Sequence, residues 1–160
     1  MIILNNLFRW VIVLGIFVLP QLCFTQLNVM TFQQIEERQS NDPKNVIVFI
    51  HTDWCNYCKA MENTTFKNKE VIEKLNKDFY VVTLNAEGKN DILFAGKTFR
   101  YKPTGVKTGI HELAEELGTI NGKVSYPTIV ILNPQSEIIF QFSGLLKTSE
   151  LLEVINQKWK

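Results

Sequence analysis

Five successive apolar residues, VIVFI from Val46 to Ile50, place the strongest constraint on how this chain folds. A strand with one solvated face alternates apolar and polar residues, whereas a strand buried on both faces is apolar throughout and rich in β-branched residues. The run therefore predicts a central strand with structure packed on both sides. A second strand is predicted over Tyr80 to Asn85, YVVTLN.

A helix is predicted before the central strand. Thr31 and Gln34 have the spacing of a capping box, and Met30 and Ile35 occupy the positions of a hydrophobic staple. The turn-forming sequence SNDPKN, from Ser40 to Asn45, then ends the helix. These signals predict a short helix that begins at Thr31 and leads into the strand.

Helical and strand patterns continue to the C-terminus. The further predicted elements are a helix opening near Cys55, a helix over 68–79, two short strands around Ala95 and Gly96, a loop over 102–109, a short helix over 111–117, a hairpin of strands over 128–132 and 138–142, and a helix starting near Thr148. Strands followed by helices in this order predict an α/β fold, in which helices cover a sheet. His111, which opens the short helix, is predicted to lie on the surface.

Composition limits the classes of function. The chain is 46% hydrophobic and 21% charged, and its formal net charge is +1. This balance argues against a polybasic nucleic-acid-binding protein and against a disordered acidic tail. We therefore predict no nucleic-acid partner. The 160 residues correspond to one domain with a sizeable core.

The N-terminal residues 1–25 have the order of a secretory signal peptide. Arg9 precedes a ten-residue apolar run from Trp10 to Leu19. Such a run spans about 15 Å as a helix, roughly half of the hydrocarbon core of a bilayer, so it is short for a membrane span. Cleavage after Thr25 would leave a mature domain over 26–160, which predicts an exported protein, periplasmic or extracellular. The alternative is an uncleaved segment that anchors the protein to a membrane.

Cys55 and Cys58, in WCNYC, form a CxxC pair soon after the predicted central strand. A structural zinc site needs four ligands, and the only two histidines, His51 and His111, have no ligand spacing with each other. A Cu(I) site that uses both cysteines and His51 is one alternative, since thiolates suit Cu(I). A purely structural disulfide would close a loop of about four residues and restrain the unfolded chain little. We expect no metal and no cofactor.

Redox chemistry explains the placement of the pair better than these alternatives. At positions i and i+3 of a first helical turn, the two side chains share one face at a separation that allows a disulfide. Unpaired backbone N–H groups and the helix dipole favour an anion at the first sulfur, which lowers the pKa of that thiol. These effects predict that Cys55 is the nucleophile and that the deeper Cys58 is the resolving thiol.

Three motifs, in this order, resemble the thioredoxin superfamily. FIHTDWCNYCK resembles its active-site segment, YPT (Tyr126 to Thr128) resembles its cis-proline strand start, and Gly144 follows the last predicted strand as in that family. The resemblance extends from about Leu27 to Lys160 and is greatest to exported thioredoxin-like proteins of envelope-containing bacteria. It implies a thioredoxin fold, with a central mixed sheet flanked by helices.

The resemblance also implies roles for residues around the pair. Trp54 and Tyr126 would flank the disulfide, and the backbone of Tyr126 would pair with an extended substrate segment beside cis-Pro127. The implied activity is thiol–disulfide exchange with protein disulfides or dithiols, and a recycling redox partner would restore the pair.

Three departures from the family's pattern leave the direction of electron flow open. Phe49 occupies the position of a buried acidic residue, Asn56 and Tyr57 replace Gly-Pro between the cysteines, and residues 87–110 form an insertion. Two alternative functions remain. One is a binding module whose insertion docks a partner while the disulfide is vestigial, and the other is a Cu(I) carrier.

Overall fold

A computed structural model of the chain describes residues 26–159. The predicted signal peptide and its membrane-anchor alternative concern residues 1–25 and lie outside the described residues. None of the helices in the described part combines the length and apolar character that crossing a membrane requires. The elements are, in chain order, α1 (Phe32–Gln39), β1 (Asn45–His51), α2 (Asn56–Asn63), a 3-10 turn (Thr65–Lys67), α3 (Lys69–Asp78), β2 (Phe79–Asn85), β3 (Ile92–Phe94), β4 (Lys97–Phe99), β5 (Tyr101–Pro103), β6 (Gly109–His111), α4 (Glu112–Gly118), β7 (Thr119–Ile120), β8 (Lys123–Val124), β9 (Thr128–Leu132), β10 (Ile138–Ser143) and α5 (Thr148–Ile155).

A mixed sheet of four strands, in the order β10-β9-β1-β2, forms the centre of the fold. β1 runs parallel to β2, with Val48 opposite Val82. On its other side β1 runs antiparallel to β9, with Val48 opposite Val130, and β10 pairs antiparallel with β9. The predictions of a central strand and of a mixed sheet flanked by helices are confirmed.

Alternate residues of β1 face two separate core clusters, because successive side chains of a strand point to opposite faces. Val46, Val48 and Ile50 belong to a cluster with apolar residues of α1 and α4. Ile47 and Phe49 belong to a second cluster with apolar residues of α2, α3 and α5, and this second cluster contains both cysteines of the CxxC pair. All five residues are at most 2% exposed, which explains why the run is apolar at every position.

The start of α1 follows the sequence signals. The N–H of Gln34 donates to the Thr31 hydroxyl at 3.2 Å, and the N–H of Thr31 donates to the Gln34 side chain at 2.9 Å, which completes the capping box. Met30 and Ile35 are both buried in the first core cluster, as the staple predicts. This docks α1 on the face of the sheet opposite the cysteine pair.

The segment predicted as an insertion, 87–110, forms two β-hairpins. β3 pairs with β4 around Ala95 and Gly96, as predicted. These two residues have positive φ angles of 50° and 73°, which a two-residue hairpin turn of type I′ requires. Phe94 and Phe99 are buried in the first core cluster, and the Phe94 ring lies 4.9 Å from that of Phe32, so the first hairpin packs against α1.

The prediction of a loop over 102–109 is wrong in part. β5 and β6 form a second hairpin in which Tyr101 lies opposite His111, and Tyr101 therefore does not continue β4. The absence of a side chain at Gly109 permits this arrangement, since a Cβ there would collide with the Tyr101 ring. Glycine is typical of loops, but at position 109 it makes a close strand pairing possible.

The surface prediction for His111 is also wrong. Its side chain is 1% exposed, and its Nδ1 accepts a hydrogen bond from the N–H of Leu113 at 3.2 Å, which caps α4. The other ring nitrogen, Nε2, lies 3.1 Å from the carbonyl oxygen of Asn90. His111 therefore joins the hairpin segment to α4 and is a buried structural residue.

Two smaller differences concern helix ends. Phe79 was predicted in the helix over 68–79, but its backbone is extended and it opens β2 opposite Asn45. The helical spacing of Leu151, Leu152, Ile155 and Trp159 predicts that the C-terminal helix includes Trp159, but α5 ends at Ile155. Trp159 lies beyond the helix and packs its ring 5.3 Å from that of Phe140.

Two isoleucines of the central sheet are expected to contribute differently to the free energy of unfolding, because they differ in burial. Ile131 in β9 is fully buried, whereas Ile138 in β10 is 42% exposed. We expect Ile131→Ala to lower the free energy of unfolding by about 2–5 kcal/mol, because it removes buried methyl groups and leaves a cavity. The matched control Ile138→Ala should lower it by no more than about 1 kcal/mol. Urea denaturation measures both, and equal losses would contradict the assigned burial.

Candidate active site

The cysteine pair lies where the central strand passes into a helix. β1 ends at His51, and a tight turn follows in which the N–H of Cys55 donates to the carbonyl of Thr52 at 3.2 Å. Cys55 is the N-cap residue of α2, with an extended backbone, and the N–H of Lys59 donates to its carbonyl at 3.1 Å. The prediction that a helix opens near Cys55 is confirmed, and the buried strand fixes where that helix begins.

The two sulfurs are joined in a disulfide. The S–S distance is 2.01 Å and the Cα atoms of Cys55 and Cys58 are 5.2 Å apart. The N–H of Cys58 also points at the Cys55 sulfur, with a distance of 3.1 Å between N and Sγ. When the pair is reduced, this N–H and the helix dipole stabilise a thiolate on Cys55, since the first turn of a helix has unpaired donors.

The two cysteines differ in their access to solvent. Cys55 is 5% exposed and Cys58 is 1% exposed, and both pack in the second core cluster with Met61 of α2. Cys58 lies one turn into the helix and faces the core, whereas Cys55 is at the edge of the cluster. Of the two cysteines, the one at the helix N-cap is therefore the more exposed.

The position beneath the pair is aromatic, where the family resemblance would place an acidic residue. Phe49 is 1% exposed, its ring meets that of Phe66 edge-on at 5.0 Å, and it stacks on His51 at 5.6 Å. His51, the last residue of β1, thus packs its ring against that of Phe49. Across residues 26–159, no three His, Cys, Asp or Glu side chains are grouped closely enough to bind a metal ion together.

Two aromatic side chains form a rim beside the disulfide. Trp54 is 63% exposed, and its ring meets that of Tyr126 edge-on at 5.9 Å. The indole Nε1 donates to the Glu87 carboxylate at 3.1 Å. Burial raises the pKa of the Tyr126 phenol, and the negative charge of Glu87 raises it further. Trp54, Tyr126 and Glu87, which are far apart in sequence, therefore meet beside the cysteine pair.

Asn85, the last residue of β2, forms hydrogen bonds with both Asp53 and Glu87 beside Trp54. Its side-chain N–H donates to Asp53 at 3.0 Å, and its side-chain oxygen accepts from the N–H of Glu87 at 2.9 Å. Neither Asn85 nor Glu87 belongs to a sequence motif of the site. Their only sequence signal is their place at the C-terminal end of a predicted strand parallel to β1, an edge where ligand sites of α/β sheets collect.

Tyr126 and Pro127 lie at the start of β9. The peptide bond between them is cis, as the resemblance implies. Pro127 is buried, and its carbonyl accepts from the N–H of Gly144 at 2.8 Å. Gly144 has a φ of 131°, which favours glycine. Tyr126 packs against the cluster that holds both cysteines, so the structure brings the YPT and CxxC motifs together.

Comparison with known proteins agrees with this geometry. The pattern of a family described as a thioredoxin-like domain matches residues 31–159. A search of curated protein sequences found no match. Among solved structures, the chain is similar to the DsbH oxidoreductase (15% identity, 81% of this chain and 82% of that one, TM-score 0.56). It is also similar to a thioredoxin from Thermus thermophilus (20% identity, 81% and 85%, TM-score 0.57). A third similar structure is a putative disulphide-isomerase from Bacteroides thetaiotaomicron (23% identity, 81% and 88%, TM-score 0.55).

The structural neighbours share the fold, and the family match covers most of the chain. The CxxC pair, joined by a disulfide at the head of α2, supplies the chemistry. The chain therefore belongs to the family of thioredoxin-like domains, and it is a thiol–disulfide oxidoreductase.

Proposed function

We propose that the protein exchanges disulfides with exported client proteins, with Cys55 as the nucleophile and Cys58 as the resolving thiol. The observation that carries this assignment is the N–H of Cys58, which lies 3.1 Å from the Cys55 sulfur at the head of α2. That donor stabilises a negative charge on Cys55 and on no other thiol of the site. Cys58 lies deeper in the helix, and its sulfur would attack the Cys55 sulfur of the mixed disulfide.

The exchange balances in two steps. The Cys55 thiolate attacks one sulfur of a client disulfide, the client S–S bond breaks, and one client thiolate leaves and takes a proton from solvent. Cys58 then loses its proton and attacks the Cys55 sulfur, which releases the second client thiol and forms the Cys55–Cys58 disulfide. Two electrons pass from the pair to the client; one of the two protons on the client thiols comes from solvent, and the other balances the proton that Cys58 loses. The reverse sequence oxidises a client dithiol, and a recycling redox partner restores the starting state.

The client would bind over Trp54, Tyr126 and Pro127. Trp54 offers an exposed apolar ring beside the pair, and aromatic side chains supply large contact areas at interfaces. The hydrogen-bonded ladder of β9 begins only at Thr128. The main chain of Tyr126 therefore lies outside the ladder, where an extended client segment could pair with it.

Export follows from the apolar N-terminal segment, with residues 1–25 as a signal peptide and 26–160 as the mature domain. Removal of the segment after Thr25 would leave the folded domain's own contacts intact. Asn76 of α3 donates to the carbonyl of Gln26 at 2.8 Å and accepts from the N–H of Asn28 at 2.8 Å. The mature N-terminus would thus be held in place. The clients would be periplasmic or extracellular proteins.

The assigned roles predict a difference between two serine variants. Cys58→Ser cannot resolve the first intermediate, so it should accumulate mixed disulfides with client proteins, visible as adducts on non-reducing gels that reductant removes. Cys55→Ser lacks the nucleophile and should trap none. Equal trapping by both variants would contradict the roles, and failure of the wild-type protein to turn over any disulfide substrate would favour the binding-module alternative.

The export proposal predicts that residues 1–25 direct a reporter out of the cytoplasm. A fusion to a phosphatase that is active only after export should show activity, and Leu14→Arg in the apolar run should abolish it, because a charge disfavours insertion. Mass spectrometry of the secreted full-length chain should give an N-terminus at Gln26. A membrane-bound product that retains residues 1–25 would overturn cleavage and support the anchored alternative.

A further inference from the structure

We propose that Asp53 and Glu87, the two carboxylates beside Trp54, select client segments that carry Lys or Arg next to the reacting cysteine. The inference rests on the proposed function, in which Trp54 and Tyr126 face the client. It adds a substrate class to that site, namely basic segments around a cysteine.

Hydrogen bonds hold both carboxylates in place at this corner. Glu87 accepts from the Trp54 indole at 3.1 Å, and Asp53 accepts from Asn85 at 3.0 Å. The same Asn85 side chain accepts from the N–H of Glu87, so a single residue ties the two acidic residues together. Both acidic residues are exposed, and they flank an exposed indole. Their charges therefore reach the surface that a client would contact.

Neither carboxylate is neutralised within the described residues. Six ion pairs form across residues 26–159, and Asp53 and Glu87 take part in none of them. Lys59, one turn beyond Cys55 in α2, is the nearest basic residue along the chain to Asp53, and Lys89 is the nearest to Glu87; both are exposed. The Lys89 ammonium lies over the Tyr101 ring, 5.9 Å from its centroid. The corner near Trp54 thus carries two carboxylates that form no ion pair among the described residues, while Lys59 lies on the helix side and Lys89 contacts the Tyr101 ring.

The same corner offers a second kind of cation contact. Arg and Lys are attracted to the face of an indole, and the attraction adds to that of a nearby carboxylate. Trp54 is exposed and hydrogen-bonded to Glu87 through its edge, so the ring and the carboxylate act on the same side of the site. The field of Glu87 also reaches Tyr126, whose phenol has its pKa raised by burial first and by Glu87 second. A basic client side chain would meet an aromatic ring and a carboxylate together.

The experiment uses the full-length protein and three cystine peptides that differ only in the residues flanking the cysteines, which are Lys, Gln or Glu. Exchange is stopped with acid and followed by mass spectrometry. We expect the Lys peptide to react faster than the Glu peptide by roughly 1.4- to 5-fold per carboxylate, the range for exposed charge pairs. The ratio should be larger at about 0.01 M salt and approach one near 1 M, because screening lengths fall from about 30 Å to 3 Å.

The decisive variant is Asp53→Asn/Glu87→Gln, which removes both charges while Gln retains an acceptor for the Trp54 indole. The Lys-to-Glu rate ratio should fall toward one, with the Gln peptide as reference for changes in thiol reactivity. The control Glu37→Gln/Glu153→Gln removes the same net charge from exposed positions on α1 and α5 and should leave the ratio unchanged. An unchanged ratio in the first variant, or a ratio of one in the wild-type protein, would overturn the inference.

A titration provides an independent readout of the charge. In Glu87→Gln the pKa of Tyr126 should fall but stay above its ordinary value, since burial remains. Ultraviolet difference spectra against Tyr126→Phe isolate that tyrosine, and an unchanged pKa would overturn the inference. If the wild-type protein exchanges with none of the peptides, the proposed function itself fails. Exchange at equal rates with all three overturns selectivity alone.

Discussion

Burial of β1 on both faces is the constraint on which the rest of this structure depends. A strand covered on both sides by helices cannot shift its register by one residue without exchanging its two core clusters. Its end at His51 is therefore fixed relative to the sheet, and so is the turn that places Cys55 at the N-cap of α2. This placement puts the outer sulfur beside the unpaired N–H groups of the first helical turn, which supports the proposed role of Cys55 as the nucleophile.

The same constraint explains the residue beneath the disulfide. A carboxylate at position 49 would lie in the second core cluster, where an unpaired charge is costly to bury. Phe49 fills that volume with an aromatic ring that packs on Phe66 and His51. The chain thus lacks the buried acid found in thioredoxins proper at this place, and its ionised groups are instead at the rim, on Asp53 and Glu87. The carboxylates beside the site therefore lie on the surface that a client would approach.

Much of the fold was predictable from local patterns. The capping box at Thr31, the run Val46 to Ile50 and the turn at Ala95 and Gly96 all specify local geometry, and each was found as predicted. Errors occurred where a residue's role depends on a distant neighbour. His111 was assigned to the surface because polar residues usually lie there, but it is buried between Asn90 and Leu113. Gly109 was assigned to a loop, although its missing side chain makes room for Tyr101.

The sequence by itself determined the order of the helices and of the four strands of the central sheet, the position of the CxxC pair at a helix start, and the resemblance that names the family. These depend on short-range spacing, which a single sequence displays directly. Only the tertiary structure decided which residues surround the disulfide, since Trp54, Glu87 and Tyr126 are brought together by strands β1, β2 and β9 lying side by side. Contacts between distant segments depend on how the sheet is ordered, and no local pattern encodes that order.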